Sequence, residues 1–323
     1  MADTDWRNQT FSTEFILLGF GNLPQLQILL FLLFIVIYIV TMMGNILIIA
    51  LVMADQYRHT PMYFFLGNLS CLEICCASTI LPRMLDSSLT EDRTISVQVC
   101  IAQLDFFRSL VAVKCSLLSV MSYDRYLAIC KPLQHAALLN GRLCFWLAAG
   151  SWVSGFGACT ITECWISQII FCGPNEIDHF FCDYNPLVKL SCSDTSLMAL
   201  VTFLFSSILT QLPILLTLAS YMRIIATIQR IPSTTGRQKA FSTVSSHLIV
   251  VTLYHGMLIF VYLLPDTKTL KDLHKVFSLF YTVLIPLVNP LIYSLRSKEV
   301  KEALRKAVSE IMNFRTNSKL FYM

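Results

Sequence analysis

Long apolar runs separated by short polar connectors dominate this chain. A helix needs about 20 mostly apolar residues to cross the hydrocarbon core of a bilayer. Seven stretches fit: Leu26–Met53, Met62–Leu81, Val99–Tyr123, Leu143–Trp165, Leu197–Tyr221, Phe241–Leu264 and Val276–Leu295. The first carries no charge, whereas the third carries Asp105, Arg108 and Lys114. Charges at membrane depth are costly and turn toward the inside of a bundle. The pattern therefore predicts an all-α membrane protein, a seven-transmembrane helix bundle. Beyond the seventh span, Val300, Ala303, Leu304, Ala307 and Val308 recur at helical spacing among Lys301, Arg305 and Lys306. That spacing predicts a short amphipathic helix over Lys298–Val308, lying on the lipid of the inner leaflet. Three regions follow: an exterior tail over 1–25, the bundle over 26–295 and a cytoplasmic tail over 296–323.

Composition agrees with the membrane class. Hydrophobic residues make up 55% of the chain and charged residues 14%, against roughly 25% charged in a soluble domain. Mean hydropathy is +0.64. With the N-terminus outside, the cytoplasmic segments hold 15 of the 24 Lys and Arg and the exterior segments 7, with Arg108 and Lys114 inside the third span. This is the orientation that the positive-inside bias favours. The net charge of +4 is thus mostly a cytoplasmic collar, and no nucleic-acid footprint is expected. The first 25 residues contain Asp3, Asp5 and Glu14 and lack the basic-then-apolar order of a cleavable signal, so the first span is expected to act as its own anchor.

Two glycosylation sequons occur, at Asn8 and Asn68. The second lies inside a span, which leaves Asn8 as the expected site. Of the twelve cysteines, most are scattered along spans, where a small buried hydrophobe is the plain reading. Four fall in exterior segments: Cys100 above the third span, and Cys172, Cys182 and Cys192 in one long loop. An oxidising exterior favours disulfides, and four cysteines allow three pairings. The loop's lone imidazole, His179, stands at no zinc-ligand spacing, and no metal or cofactor is expected.

The third span ends in Met121-Ser-Tyr-Asp124-Arg125-Tyr126-Leu-Ala-Ile-Cys130-Lys-Pro132. An always-charged guanidinium beside a carboxylate, at the cytoplasmic mouth of a bundle, suits a site at which a partner reads the state of the helices. Further stretches accompany it: Gly44-Asn45; His59-Thr60-Pro61-Met62-Tyr63; Ser220-Tyr221; Lys239-Ala240-Phe241-Ser242-Thr243 with Ser246-His247-Leu248; and Pro286-Leu-Val-Asn289-Pro290-Leu-Ile-Tyr293-Ser294-Leu-Arg296. Together, in this order and from about Phe11 to Ala307, they resemble the mammalian-type olfactory receptors of the rhodopsin-like family. The Pro-Met-Tyr and Lys-Ala-Phe-Ser-Thr segments separate that group from other rhodopsin-like receptors.

The resemblance implies a plasma-membrane receptor for a small, volatile odorant, acting through a stimulatory, olfactory-type heterotrimeric G protein and cAMP. It implies disulfides Cys100–Cys182 and Cys172–Cys192, the first making the exterior loop a lid. It also implies a switch in which Asp124 holds Arg125, flanked by Tyr126, until Arg125 swings toward Tyr221. Asn289-Pro290-x-x-Tyr293 forms the second element of that switch. Proline removes a helix hydrogen bond and provides a hinge; Asn289 is placed to satisfy freed backbone groups, and Tyr293 to re-pair on movement. Carried over residue by residue, the family's pocket falls on Phe107, Arg108, Val111 and Ala112; Phe205, Ser206 and Leu209; His255, Leu258 and Tyr262; and Leu279 and Thr282. Spacings of three and four place each set on one helical face.

Three positions depart from the expected pattern. Relatives carry acids in both the second and the third span; here Glu73 fills the first place and Lys114 stands at the second. Glu73 lies 11 residues beyond Met62, and Lys114 lies 11 before Arg125, so both sit about 16 Å from the cytoplasmic surface. Opposite charges at equal depth are expected to pair, replacing a sodium-type acidic site. Arg108 stands about 25 Å above Arg125; either it pairs with Asp105 on its own face, or it anchors a carbonyl or carboxylate ligand. His255 stands where relatives place a tyrosine, either as a satisfied core residue or as the coupler between pocket and helix movement.

Other functions fit less well. A retinal-type photoreceptor or light-driven pump needs a lysine in the seventh span, and Val276–Leu295 has none. A transporter or channel would show internal repeats or broken helices. No nucleophile–base constellation, phosphate-cradling loop or metal cluster suggests an enzyme. A chemoreceptor for an internal metabolite, on the same fold, is the remaining alternative. No cysteine follows Cys192, which excludes a palmitoyl anchor on the tail.

Overall fold

The computed structural model describes residues 13–19, 24–54, 60–90, 92–171, 175–263 and 271–296. Asn8, Cys172, the expected amphipathic helix over 298–308 and the side chain of Tyr293 lie outside the described residues. In chain order the elements are β1 (Glu14–Leu17), α1 (Pro24–Ala54), α2 (Pro61–Thr90), β2 (Thr94–Ser96) and α3 (Val97–Cys130). Then come α4 (Pro132–Leu138), α5 (Gly141–Ile166), β3 (Glu176–Ile177), α6 (Tyr184–Val188), α7 (Ser196–Gln229) and α8 (Thr234–Leu263). The last span is built from α9 (Lys271–Leu279), a π-helical turn (Phe280–Leu284) and α10 (Ile285–Arg296).

The seven-helix expectation is borne out. Among the described residues six helical stretches are long and apolar enough to cross a membrane: α1, α2, α5, α7, α8 and the α9–α10 unit. The seventh, α3, is longer than most of them, and Asp105, Arg108, Lys114, Asp124 and Arg125 interrupt its apolar run. Its position resolves the conflict, since α3 packs against α2, α5, α7 and α8 together. Most helices outrun the predicted spans at one or both ends, because water satisfies helical backbone beyond the hydrocarbon as well as lipid does within it.

Close packing sets the α3–α5 contact. A Cβ added at Gly155 would lie 2.6 Å from Val113 Cγ2 and 3.0 Å from the Ser109 carbonyl oxygen. Small residues let membrane helices approach this closely.

Prolines interrupt the backbone hydrogen bonding of the last span. Pro290 has no N–H to donate to the carbonyl of Pro286, four residues back. Asn45 of α1 takes that place: its Nδ2 donates to the Pro286 oxygen at 3.2 Å and to the Thr41 oxygen at 2.9 Å. Asn289, expected to serve the freed backbone, is committed elsewhere. Ahead of Pro286, the Ile285 N–H reaches back five residues to Phe280, the π-turn pattern.

At one end of the bundle lies a small sheet, ordered β2-β1-β3. β1 runs antiparallel to β2, with Phe15 opposite Ile95, and parallel to β3, with Ile16 beside Glu176. Phe15, Ile95 and Ile177 turn inward into an apolar cluster separate from the membrane core. The Cys100–Cys182 disulfide joins the start of α3 to this layer, with Cα atoms 5.5 Å apart across a sequence separation of 82. Lys275 of α9 pairs with Asp178 and donates to the Gly19 carbonyl at 3.4 Å, tying the last span to the cover.

Candidate functional site

A cavity of about 200 Å³ lies toward the end of the bundle that carries the disulfide, walled by α3, α5, α7 and α8 and by the loop around α6. Seven of the residues carried over from the family line it: Arg108, Val111, Ala112, Ser206, Leu209, Leu258 and Tyr262. The other five do not. Phe107, one position round α3 from Arg108, packs edge-on against Phe181 at 5.1 Å and against Tyr281 at 5.9 Å. Phe205, beside Ser206, is 39% exposed on the outer surface of α7. A single step along a helix turns a side chain about 100°, which takes Phe107 and Phe205 off the wall that Arg108 and Ser206 line. His255 is buried, and its Nδ1–H donates to the Val251 oxygen at 3.0 Å. Thr282 donates to the Ser278 oxygen at 2.7 Å, and Leu279 packs into the core. The π turn directly after Leu279 shifts the helical phase there, which spacing by threes and fours does not anticipate.

Arg108 does not rely on Asp105. Its Nη1 lies 3.0 Å from Glu163 Oε1 on α5, its Nη2 donates to Ser206 Oγ at 3.2 Å, and its guanidinium lies over the Tyr184 ring at 5.1 Å. The guanidinium is thus neutralised across the bundle and clamped by an aromatic face. Asp183, next to the disulfide, also lines the cavity while 5% exposed. Burial pushes its carboxyl above the ordinary carboxylate range.

At membrane centre Lys114 Nζ lies 2.6 Å from Glu73 Oε1, with both side chains fully buried. Asn289 Nδ2 donates to the same carboxylate oxygen. Lys114 also faces the Tyr254 ring, 4.6 Å from its centroid, and the Tyr254 hydroxyl donates to the Val111 oxygen at 3.2 Å. Val111 lines the cavity. An unbroken run of contacts therefore leads from the cavity wall through Tyr254, Lys114 and Glu73 to Asn289 in the last span, adjoining Pro290.

At the opposite end of the bundle Arg125 is held by its neighbour, with Nη2 at 2.7 Å and Nε at 3.0 Å from Asp124 Oδ2. His135 of α4 bonds the other oxygen, with its Nε2 2.9 Å from Asp124 Oδ1. Tyr221 is hydrogen-bonded to His247 Nδ1 on α8. Tyr126 is half-buried and stacks on Tyr123 at 6.2 Å.

Of the disulfide pairings, Cys100–Cys182 is present. Cys192 is disulfide-bonded, while Cys172 lies outside the described residues. Sequence reasoning missed Glu163, Asp183, Thr202, Tyr254, His135 and His247. Glu163 left a signal, an acid inside an otherwise apolar fourth span; the others required knowing which helices meet.

Comparison with known proteins agrees with this architecture. The family model for olfactory receptors matches residues 34–311. Olfactory receptor 5AP2 of Mus musculus is 46% identical over 93% of this chain and 95% of its own length. Olfactory receptor 10A7 of Homo sapiens is 45% identical over 94% and 96%, and olfactory receptor 6P1 of Homo sapiens 47% identical over 91% and 93%. A cavity over a buried ion pair over a held arginine, within a matching sequence of this extent, places the chain in the olfactory receptor family, as a multi-pass membrane receptor and not an enzyme.

Proposed function

We propose that the cavity binds a small organic odorant and that binding activates a stimulatory, olfactory-type heterotrimeric G protein, raising cAMP. The observation that carries this reading is the contact run from Val111 through Tyr254, Lys114 and Glu73 to Asn289. A ligand pressing on the Val111–Leu258 wall biases the α3–α8 contact that Tyr254 makes, and with it the pairing beside the last-span hinge. Binding then shifts a pre-existing equilibrium toward a state in which Arg125 leaves Asp124 and the cytoplasmic end of α8 moves outward. The N-terminus faces outward, in keeping with the excess of basic residues in the cytoplasmic segments.

The test is a cAMP response in cells expressing the chain at the surface, against volatile aldehydes, alcohols, esters, acids and amines, with Arg125→Ala alongside. A ligand-dependent rise that vanishes in Arg125→Ala is the expected result. If Arg125→Ala responds like the parent, this coupling route is wrong.

A further inference from the structure

The outer end of the cavity holds more acid than base. Arg108 is its one lining cation among the described residues, and Glu163 already neutralises it at 3.0 Å. Asp105 stands nearby with a buried Oδ1 that has no hydrogen-bond partner, and so does Glu163 Oε2. Asp183 lines the cavity itself. Its Oδ1 accepts the Tyr184 N–H at 2.8 Å, and no described cation lies within 4.0 Å of the carboxylate. The second, independent observation is Thr202. It lines the same cavity, is 3% exposed, and its hydroxyl has no protein partner. A buried carboxylate with no cation in contact and a buried hydroxyl without a partner both cost stability unless something enters to satisfy them.

We propose that the cavity selects a ligand carrying a protonated amine, with its ammonium placed against the Asp183 carboxylate and donating to the Thr202 hydroxyl. This rests on the reading of the cavity as the ligand site and narrows it to one chemical class. The apolar part of such a ligand lies against Val111, Ala112, Leu209 and Leu258, deeper in the same cavity. An ammonium supplies the charge that Asp183 lacks, and its N–H groups suit an acceptor-only carboxylate and a free hydroxyl. A carboxylate ligand meets the opposite situation. The Arg108 guanidinium is engaged by Glu163, and Asp183 repels the incoming charge.

The experiment uses the full-length receptor in cells and a matched series of n-alkyl amines, alcohols and carboxylic acids of equal chain length, read as cAMP. Potency should fall in the order amine, alcohol, acid, with the amine ahead of the alcohol by roughly ten- to a hundredfold, as expected for a charge-assisted contact. Asp183→Asn keeps a good cap for α6, so this variant should fold, lose the amine advantage and leave the alcohol response in place. Thr202→Val should weaken the amine less. Equal potency of amine and alcohol overturns the amine preference while leaving the receptor reading intact. An acid more potent than the amine overturns it outright, as does silence of the whole amine series. In that last case raised basal cAMP in Asp124→Asn, which needs no ligand, separates a wrong ligand class from a chain that does not couple.

Discussion

Lys114 of α3 and Glu73 of α2 meet at 2.6 Å inside the bundle, with Asn289 of α10 on the same carboxylate oxygen and Tyr254 of α8 beneath the ammonium. Four spans are thereby joined at one buried charge pair. The lysine brings its own positive charge to the place where a second acid would call for a bound cation.

Removing one partner of such a pair leaves the other buried and uncompensated, at a cost of about 3–5 kcal/mol. Lys114→Ala should therefore lower the thermal midpoint of detergent-solubilised receptor and its surface level, while Lys114→Met with Glu73→Gln should recover both. Lys114→Glu places two carboxylates together and should make the response depend on sodium concentration. If Lys114→Ala expresses and signals like the parent, the pair has no structural role.

Asp124 holds Arg125 through one oxygen and His135 through the other. Asp124→Asn weakens both contacts and should raise basal cAMP. His135→Ala should raise it less, because the Arg125 contact survives. Unchanged basal activity in Asp124→Asn would show that this contact does not restrain the receptor.

His179 lies buried in the exterior cover, its ring 4.6 Å from those of Phe180 and Phe181. Burial holds its imidazole down at about 3, with repulsion from Lys275 and His274 adding to the effect and Asp178 opposing it. The unfolded chain takes a proton below about pH 6.5, whereas the folded cover does not until far lower. Stability from this residue is thus fully present above about pH 6.5 and lost as pH falls toward 3. Thermal midpoints recorded from pH 7.5 to 5 should decline in the parent, and the decline should be shallower in His179→Phe. Parallel curves would remove His179 from the explanation.

Gly155 has no room for a side chain against Val113 and the Ser109 backbone. Gly155→Ala should cost roughly 1–3 kcal/mol through overpacking. Gly150→Ala, on the same helix with nothing within 4 Å of the new Cβ, should be silent in the same melting experiment.

Loss of the Cys100–Cys182 bridge should be more damaging than either glycine change. A closed loop of this length is worth about 4–5 kcal/mol in the chain-entropy account. Cys100→Ser and the Cys100→Ser/Cys182→Ser double variant should both lose surface expression to a similar degree. A double variant that recovers parental expression would show that a stranded thiol, and not the missing bridge, was the cause.

Much of this was legible in the residues alone. Apolar run length determines a crossing helix, because lipid offers backbone groups no partner outside the helix itself; six spans read cleanly this way, and the charge-bearing third was settled by its place among the others. The pairing of Lys114 with Glu73 could be expected because depth follows from counting residues at constant rise. What counting could not supply is which faces meet. Glu163 displaced Asp105 as the partner of Arg108 because α5 approaches α3 at Gly155, a contact without a local sequence mark. Asn45 in place of Asn289 serves the carbonyl freed by Pro290, because α1 happens to pass α10 there. Phe205 points outward while Ser206 points inward, and Thr282 leaves the wall within a π turn, since both depend on helical phase to within a single residue. The exterior sheet joins residues 14–17, 94–96 and 176–177, three segments too short to be read as strands until the tertiary fold pairs them. Periodicity and depth are properties of one helix and can be read from one segment; partner choice and phase are properties of pairs, and only the packed bundle decided them.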